Sequence, residues 1–481
     1  VKGFGEIMGA GGFDCVIGNP PYVRIQTLQD TQPEAVQYFK NKYKSGGKGN
    51  FDIYALFVER GYSLLNKTGL LGCILPHKIF QANFGEPLRE IISNNKAIYE
   101  IVHFGAEQVF ENATTYTCLL FLSKKQQESF RYVAVEKLRN PIELVTKISE
   151  KIQNDCYQEA AIPQPLSGEK WEFYGEKTGA VISKLKKQRN TLGSITRKIF
   201  VGLQTSADKI YVLKIVEWTE NTVICYSKSL AKEIEIEKSF VKPFLMGKDV
   251  HRYDPPVPQN VVIFPYQIEN GKAELMTQKF IKENFSLGWK YLLENKTALE
   301  NREKGKMRGE KFYAYIYPKN LTEFEAIKLM TPEIALGCQL SFDSQGVLYH
   351  TTKVYSFIFQ DSIEENELFF LGILNSKLLW VFLKATGYTL RGGYFTFKTE
   401  YLKPFPIRTI DFSNPEEVTK HDKLVSLVDN MLKLHQKCHE ARMERDKEIY
   451  ERQIKVVDAQ IDRMVYDLYG LTEEEIKVVE E

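Results

Sequence analysis

The sequence predicts an α/β protein: an open sheet at the front, a mixed α/β region after it, and a helical hairpin at the end. Three observations carry that expectation. Residues 14–24, Asp-Cys-Val-Ile-Gly-Asn-Pro-Pro-Tyr-Val-Arg, place a short apolar run directly before Gly18 and the pair Pro20–Pro21. Strand-length apolar runs and helix-period segments then alternate to about residue 150. Within residues 411–481, two apolar stripes recur at near-heptad spacing.

The first stretch organises the rest. Cys15, Val16 and Ile17 read as a buried strand. Gly18 opens a turn, and two prolines deny the chain further ladder hydrogen bonds. Asn19, Pro20, Pro21 and Tyr22 therefore belong at the carboxyl end of a strand, where open α/β sheets bind ligands. An amide, a carbonyl fixed by proline and an aromatic ring make a receptor for a planar amino group. Asn-Pro-Pro-Tyr after an apolar strand resembles motif IV of the amino-methyltransferases. The resemblance implies that the Asn19 side-chain oxygen and the Pro20 carbonyl accept the two N–H bonds of an exocyclic amine, and that Tyr22 stacks on an extruded base. The tetrapeptide is shared with glutamine-N5 and guanine-N2 methyltransferases, and an ordinary turn after a core strand is the plain alternative.

From residue 25 to 150 the α/β pattern continues. Lys44–Asn50 reads as a loop and a helix is expected from about Asp52, with Ile53, Leu56, Phe57 and Leu64 on one face. Strands are expected at Leu70–Leu75, Ile98–Phe104 and Thr115–Leu122, with a helix from about Phe84 to Ser93. The stretches GNFDIYALFVERG, GLLGCILPHKIF and VFENATTYTCLLFL resemble motifs V to VIII of the Taq-like adenine-N6 DNA methyltransferases of type IIG restriction-modification systems. In that family a motif VIII aromatic faces the motif IV tyrosine across the flipped adenine. Phe110 is the matching residue, Tyr116 is close enough to leave the choice open, and a core role is the alternative.

Residues 151–190 are polar and carry Pro163 and Pro165, which suggests a linker. The stretches KIFVGLQTSADKIYVL, KPFLMGKDVHRY, YIYPKN and LGILNSKLLWVFLKATGYTLRGGYFTFKTEYLKPFPI resemble the target-recognition domain of the same family, in order, over residues 191–410. The expected DNA surface lies here. Arg302, Lys304, Lys306, Arg308 and Lys311 are dense, are broken by Gly305 and Gly309, and precede Phe312, Tyr313 and Tyr315. Such a loop suits phosphates, and one arginine suits guanine. Arg391 beside Gly392–Gly393 is a second candidate, Lys248 and Arg252 weaker ones. Glu303 and Glu310 dilute the cluster, so a solvated charged loop is the alternative.

In residues 411–481, Leu424, Leu427, Val428 and Met431 form one stripe, and Ile454, Val457, Ile461, Val465 and Leu468 the other. Two long helices packed as a hairpin follow, with a structural role in bracing the recognition domain against the catalytic one, and DRMVYDLYGLTEEE resembles the tail after a Taq-like recognition domain. His435 and His439 stand at i and i+4 without an acidic third ligand nearby in sequence, so no metal is expected.

Composition bounds the rest. The 481 residues suit two or three domains, and Lys+Arg 64 against Asp+Glu 62 leaves +2, so a nucleic-acid surface must be a local patch. The seven cysteines have no paired metal spacing and suggest reduced thiols in a cytoplasmic protein. Gly3, Gly5, Gly9, Gly11 and Gly12 precede Asn19 too closely to form the cofactor loop, since two β-α units of ~30 residues each should intervene. The fold expected is thus the C-terminal half of a Rossmann-like class I methyltransferase domain at 1–150, a mixed α/β target-recognition domain and a helical hairpin. The resemblance implies S-adenosylmethionine as cofactor and double-stranded DNA as partner. It also implies a missing N-terminal half, with or without a nuclease domain in a longer parent. A non-catalytic specificity subunit, and a protein or RNA methyltransferase, are the other readings.

Overall fold

The computed structural model describes residues 3–480 except 106, 111–114, 136, 139, 153–155, 165, 175 and 388; the side chains of Pro141, Glu176 and Arg391 also lie outside it. The chain divides into two units, residues 1–181 with 384–394, and residues 182–383 with 395–481.

The first unit is built on one six-stranded sheet. Its strands are β1 (Phe13–Gly18), β2 (Leu65–Pro76), β3 (Ile98–His103), β4 (Thr117–Ser123), β5 (Ser129–Val135) and β6 (Tyr157–Pro163), in the order β1-β2-β4-β3-β5-β6. β1 runs parallel to β2 and β3 parallel to β5, while β4 is antiparallel to both its neighbours. The alternation of Leu71, Cys73 and Leu75 turns one face of β2 onto helix α1 (Tyr54–Ser63). Gly61 lets the helix approach: a Cβ there would lie 2.9 Å from Leu71 Cδ1. The residues of α1 buried are Tyr54, Ala55, Val58 and Tyr62 against the sheet and, as expected, Leu56 in a neighbouring cluster with Ile53, whereas Phe57, also expected inside, is 52% exposed. The helix buries a wider arc than expected, because it packs on the sheet through Tyr54, Val58 and Tyr62 and on a second cluster through Leu56.

Two expectations are corrected here. β1 is not a buried strand: it is the edge of the sheet, and Ile17 is 85% exposed. An apolar run reports what a strand can cover, not what covers it. Residues 151–190 are not a free linker either. β6 pairs along its length with β5, and the Gln164 side chain bonds both the amide and the carbonyl of Ile98, at 3.3 and 2.9 Å. Trp171 is buried and stacked on Phe80.

The second unit holds a mixed six-stranded sheet and a four-stranded antiparallel one. The first orders Lys232–Glu237, Thr222–Ser227, Val212–Trp218, Asn260–Ile263, Val241–Leu245 and Tyr349–His350. The second orders Ser341–Asp343, Lys328–Pro332, Val354–Phe359 and Thr196–Val201. An aromatic-rich core including Tyr211, Phe240, Phe244, Phe264 and Tyr315 fills the larger sheet. Helices α2 (Pro415–Glu440) and α3 (Glu444–Tyr469) form the expected hairpin, capped by the Asn414 side chain and by Gly470 at φ 66°. The buried stripe is Leu424, Val428, Met431 and Leu434 facing Val457, Ile461 and Val465. The hairpin packs on helix Glu367–Asn375, where a Cβ on Gly372 would meet Val428 Cγ2 at 3.0 Å, so it braces its own unit. A shorter helix, Glu473–Glu480, follows it. Among the described residues no single helix is long and apolar enough to cross a membrane.

Candidate functional site

At the carboxyl end of β1 the chain leaves the sheet through Asn19–Tyr22. Gly18 is paired with Cys73, and beyond it Asn19 is exposed, Pro20 buried, Pro21 exposed and Tyr22 half-buried. The prolines prevent the segment from rejoining the ladder, and the bonds that follow fix its path. Ile53 N donates to the Val23 carbonyl and Ile25 N to the Phe51 carbonyl, both at 2.9 Å. Asp52, 5% exposed, is held by Lys78 at 2.6 Å. The Tyr22 hydroxyl donates to the Ile74 carbonyl at 3.2 Å, and its ring meets Tyr54 edge-on at 6.2 Å. Burial first, then the nearby Cys118 and Cys73, pushes the Tyr22 phenol up to about 12, so it is a neutral hydrogen-bonding ring at physiological pH. The result is a polar amide in solvent beside an immobilised aromatic ring.

The ends of β2 and β3 carry groups to which no role was assigned from sequence. His77 and His103 are joined Nδ1 to Nε2 at 2.6 Å, and Tyr132 reaches His103 Nδ1 at 3.0 Å. Burial drives His103 down to about 4 and His77 well below its ordinary value, so both rings are neutral at pH 7. With Phe80, Trp171 and Phe173 they line a cavity of about 60 Å³. The signal available in sequence was a histidine directly after the strand-ending Pro76. Of the two motif VIII candidates, Tyr116 is 5% exposed and stacked on His77, whereas Phe110 keeps part of its ring at the surface. Residues 111–114, which follow Phe110 in that motif, lie outside the described residues.

The residues beside Asn19 do not by themselves fit a whole S-adenosylmethionine. Open α/β sheets hold such ligands between strands on both sides of a crevice. Here β1, which leads into Asn19, has a ladder partner among the described residues on one side only, β2.

The expected DNA-binding residues separate into two groups. Arg302 is 8% exposed and donates to four carbonyls, of Leu299, Thr205, Phe312 and Ala314, at 2.6–3.1 Å. The structure thus corrects that expectation: this guanidinium has too few free donors to grip a phosphate. Arg252 is likewise committed, to the Asn375 carbonyl and Asp458. Lys304, Lys306, Arg308 and Lys311 are exposed and make no side-chain bond to any described residue, and Lys248 is exposed too. The side chain of Arg391 lies outside the described ones, and its backbone belongs to the first unit. His439 pairs with Asp254 at 2.6 Å, and among the described residues no three ligating groups converge on a metal position.

Residues 1–110 match the family described as Eco57I restriction-modification methylase, and residues 242–407 the TaqI-like C-terminal specificity domain. The chain is 29% identical to the type II restriction enzyme and methyltransferase RM.Eco57I of Escherichia coli, over 98% of this chain and 48% of that protein. It is 21% identical to the type II methyltransferase M.BstVI of Geobacillus stearothermophilus, over 98% of this chain and 75% of that protein. The type IIL restriction-modification enzyme MmeI, solved in complex with DNA, shares the fold with a TM-score of 0.58 at 11% identity, over 97% of this chain and 56% of that one. The chain thus spans about half the length of RM.Eco57I.

Proposed function

We propose, from the premise that the chain carries an Eco57I-type methylase region and a TaqI-like specificity domain, that it works in a site-specific DNA methyltransferase of a restriction-modification or phage-defence system. The acceptor is N6 of an adenine turned out of the duplex. The observation that carries this reading is the Asn19–Tyr22 turn, with an exposed amide beside a ring locked by Ile74 and Tyr54. Asn19 Oδ1 and the Pro20 carbonyl accept the two N–H bonds of the amine, which draws its lone pair out of the ring and towards the methyl donor. Tyr22 stacks on the base, with Phe110 opposite. The donor we propose is S-adenosylmethionine; the other wall of its site is assigned to further residues of the complete enzyme, which in a longer parent include a nuclease domain. Double-stranded DNA is the partner and the cytoplasm the location. The one-sided neighbourhood of β1 favours a second reading, a DNA-binding specificity component without catalysis.

Asn19→Ala in the complete enzyme separates the two. It removes one acceptor used mainly in the transition state, so the methyl-transfer rate in single turnover is expected to fall ~100-fold with DNA affinity unchanged. Tyr22→Ala is expected to weaken trapping of 2-aminopurine at the target position as well. Wild-type transfer by the Asn19→Ala enzyme would overturn the catalytic reading.

A further inference from the structure

Arg302 is a buried cation with no carboxylate within ion-pair distance among the described residues. Its fork fastens two turns that are unusual in the same way. On one side, Nη1 holds the Thr205 carbonyl at 3.1 Å, next to Ser206 at φ 57°. On the other, Nη2 holds the Phe312 and Ala314 carbonyls at 2.6 and 2.9 Å. Between Arg302 and Phe312 the backbone makes a left-handed turn, Glu303 (φ 44°), Lys304 (φ 62°) and Gly305 (φ 85°), and Gly309 stands at φ 112°. Left-handed residues normally occur singly in L-proteins, so consecutive ones persist only where the surroundings over-determine them. Here the surroundings are the Arg302 fork and the Tyr317 hydroxyl, which holds Glu303 at 2.6 Å.

Beside the Thr205–Ser206 turn lies a cleft of about 460 Å³ whose lining includes Ser206, Asp208, Lys209 and Arg302, and the left-handed turn at Glu303–Gly305 leaves directly from Arg302. Lys209 and Lys304 are exposed, and neither makes a side-chain bond to any described residue. The acidic groups nearby are engaged: Thr205 donates to Asp208, and Tyr317 to Glu303. Elsewhere in the unit many lysines pair with carboxylates, as Lys232 does with Glu294, Lys242 with Glu325 and Lys353 with Glu333. The lining carries Arg302 and Lys209 against Asp208 alone, and exposed Lys304 stands two residues beyond Arg302, so this pre-set cleft and its rim are net positive and suit an anionic backbone.

We infer that this cleft and the turn that follows Arg302 form a backbone-phosphate site for one DNA strand, in which Lys209 in the cleft and Lys304 on the turn neutralise phosphates and Arg302 acts as a positioning residue that sets both turns before DNA arrives. The inference rests on the DNA-binding reading above and adds Lys209 and the 203–209 turn to the surface. Pre-setting removes the ordering cost that a mobile basic loop would meet on binding. Because phosphates carry no sequence, the contact fixes register rather than choosing bases.

The test uses the 481-residue chain and a random-sequence duplex, with the dissociation constant followed against salt. Each phosphate contact contributes a slope of about 0.9 in log K against log salt, which corresponds to about fivefold in affinity at 0.15 M relative to 1 M. Lys209→Gln and Lys304→Gln are each expected to lower the slope by about 0.9 and affinity by about fivefold, equally for every duplex. Arg302→Lys keeps a buried charge but offers a point donor in place of the fork. It is expected to leave the slope unchanged, weaken binding, and speed amide hydrogen exchange at residues 303–309, with the rest of the chain protected as before. Wild-type binding that persists with unaltered slope in both lysine variants would overturn this site and leave the DNA reading standing. Absence of any duplex binding by the unsubstituted chain would remove both.

Discussion

At the scale of single residues, the structure separates charges that face solvent from charges that hold the fold. Asp462 belongs to the second kind. It is 3% exposed, accepts from the Lys377 amide at 3.1 Å, and shares the neighbourhood of Arg252 and Asp458. Burial outweighs Arg252 and the Lys377 amide and pushes its carboxyl up to about 6, from an ordinary value of 3.8. A carboxyl raised on folding contributes stability that is complete below pH 3.8 and lost as pH rises through about 6. Asp462→Asn keeps the acceptor and removes the ionisation. Its unfolding free energy is expected to match wild type near pH 4 and to exceed it by pH 7, by on the order of 1 kcal/mol. Denaturant unfolding at the two pH values checks this, and parallel curves for the two proteins would refute it.

At the scale of elements, Arg89 shows how the polar segment after β6 became part of the sheet's architecture. It is 2% exposed on helix Glu86–Asn94 and donates to the carbonyls of Gly168, Glu169, Ile79 and Ala82 at 2.6–3.2 Å. One planar fork therefore ties a helix, the turn at Ile79–Ala82 and the segment at Gly168–Glu169 together, which a lysine point charge does not reproduce. Arg89→Met leaves four carbonyls without their donor, each costing about 1–3 kcal/mol where water does not replace it. The first unit is expected to lose roughly 3 kcal/mol or more, and limited proteolysis should cut first at residues 164–171. Arg89→Lys should fall between the two. Equal protease resistance in Arg89→Met would show that Trp171 packing alone holds the segment.

At the scale of the whole molecule, 64 basic and 62 acidic residues nearly cancel, so any attraction for DNA depends on where charges are left unpaired. Lys209, Lys304, Lys306, Arg308 and Lys311, which make no side-chain bond to any described residue, lie on the second unit, while the Asn19 turn sits on the edge strand of the first. With one wall of the crevice supplied, the isolated chain is expected to bind S-adenosylmethionine weakly or not at all. Calorimetric titration checks this directly; micromolar affinity would mean that the cofactor site is built from residues other than those beside Asn19.

What the sequence determined by itself was local chemistry. A proline pair after an apolar run ends a strand wherever that strand lies, so the Asn19–Tyr22 turn, most strands of the first sheet and the terminal hairpin were legible. Burial was not, because it depends on residues far apart in the chain. Arg302 looked like its neighbours Lys304 and Lys306, and only the carbonyls of Thr205 and Ala314 turned it inward. The exposure of Ile17, the absorption of residues 157–171 into the first unit and the His77–His103 pair were decided the same way. A hydrogen-bonding fork or an apolar strand is satisfied by whatever the fold brings to it, and composition and spacing carry no record of that partner.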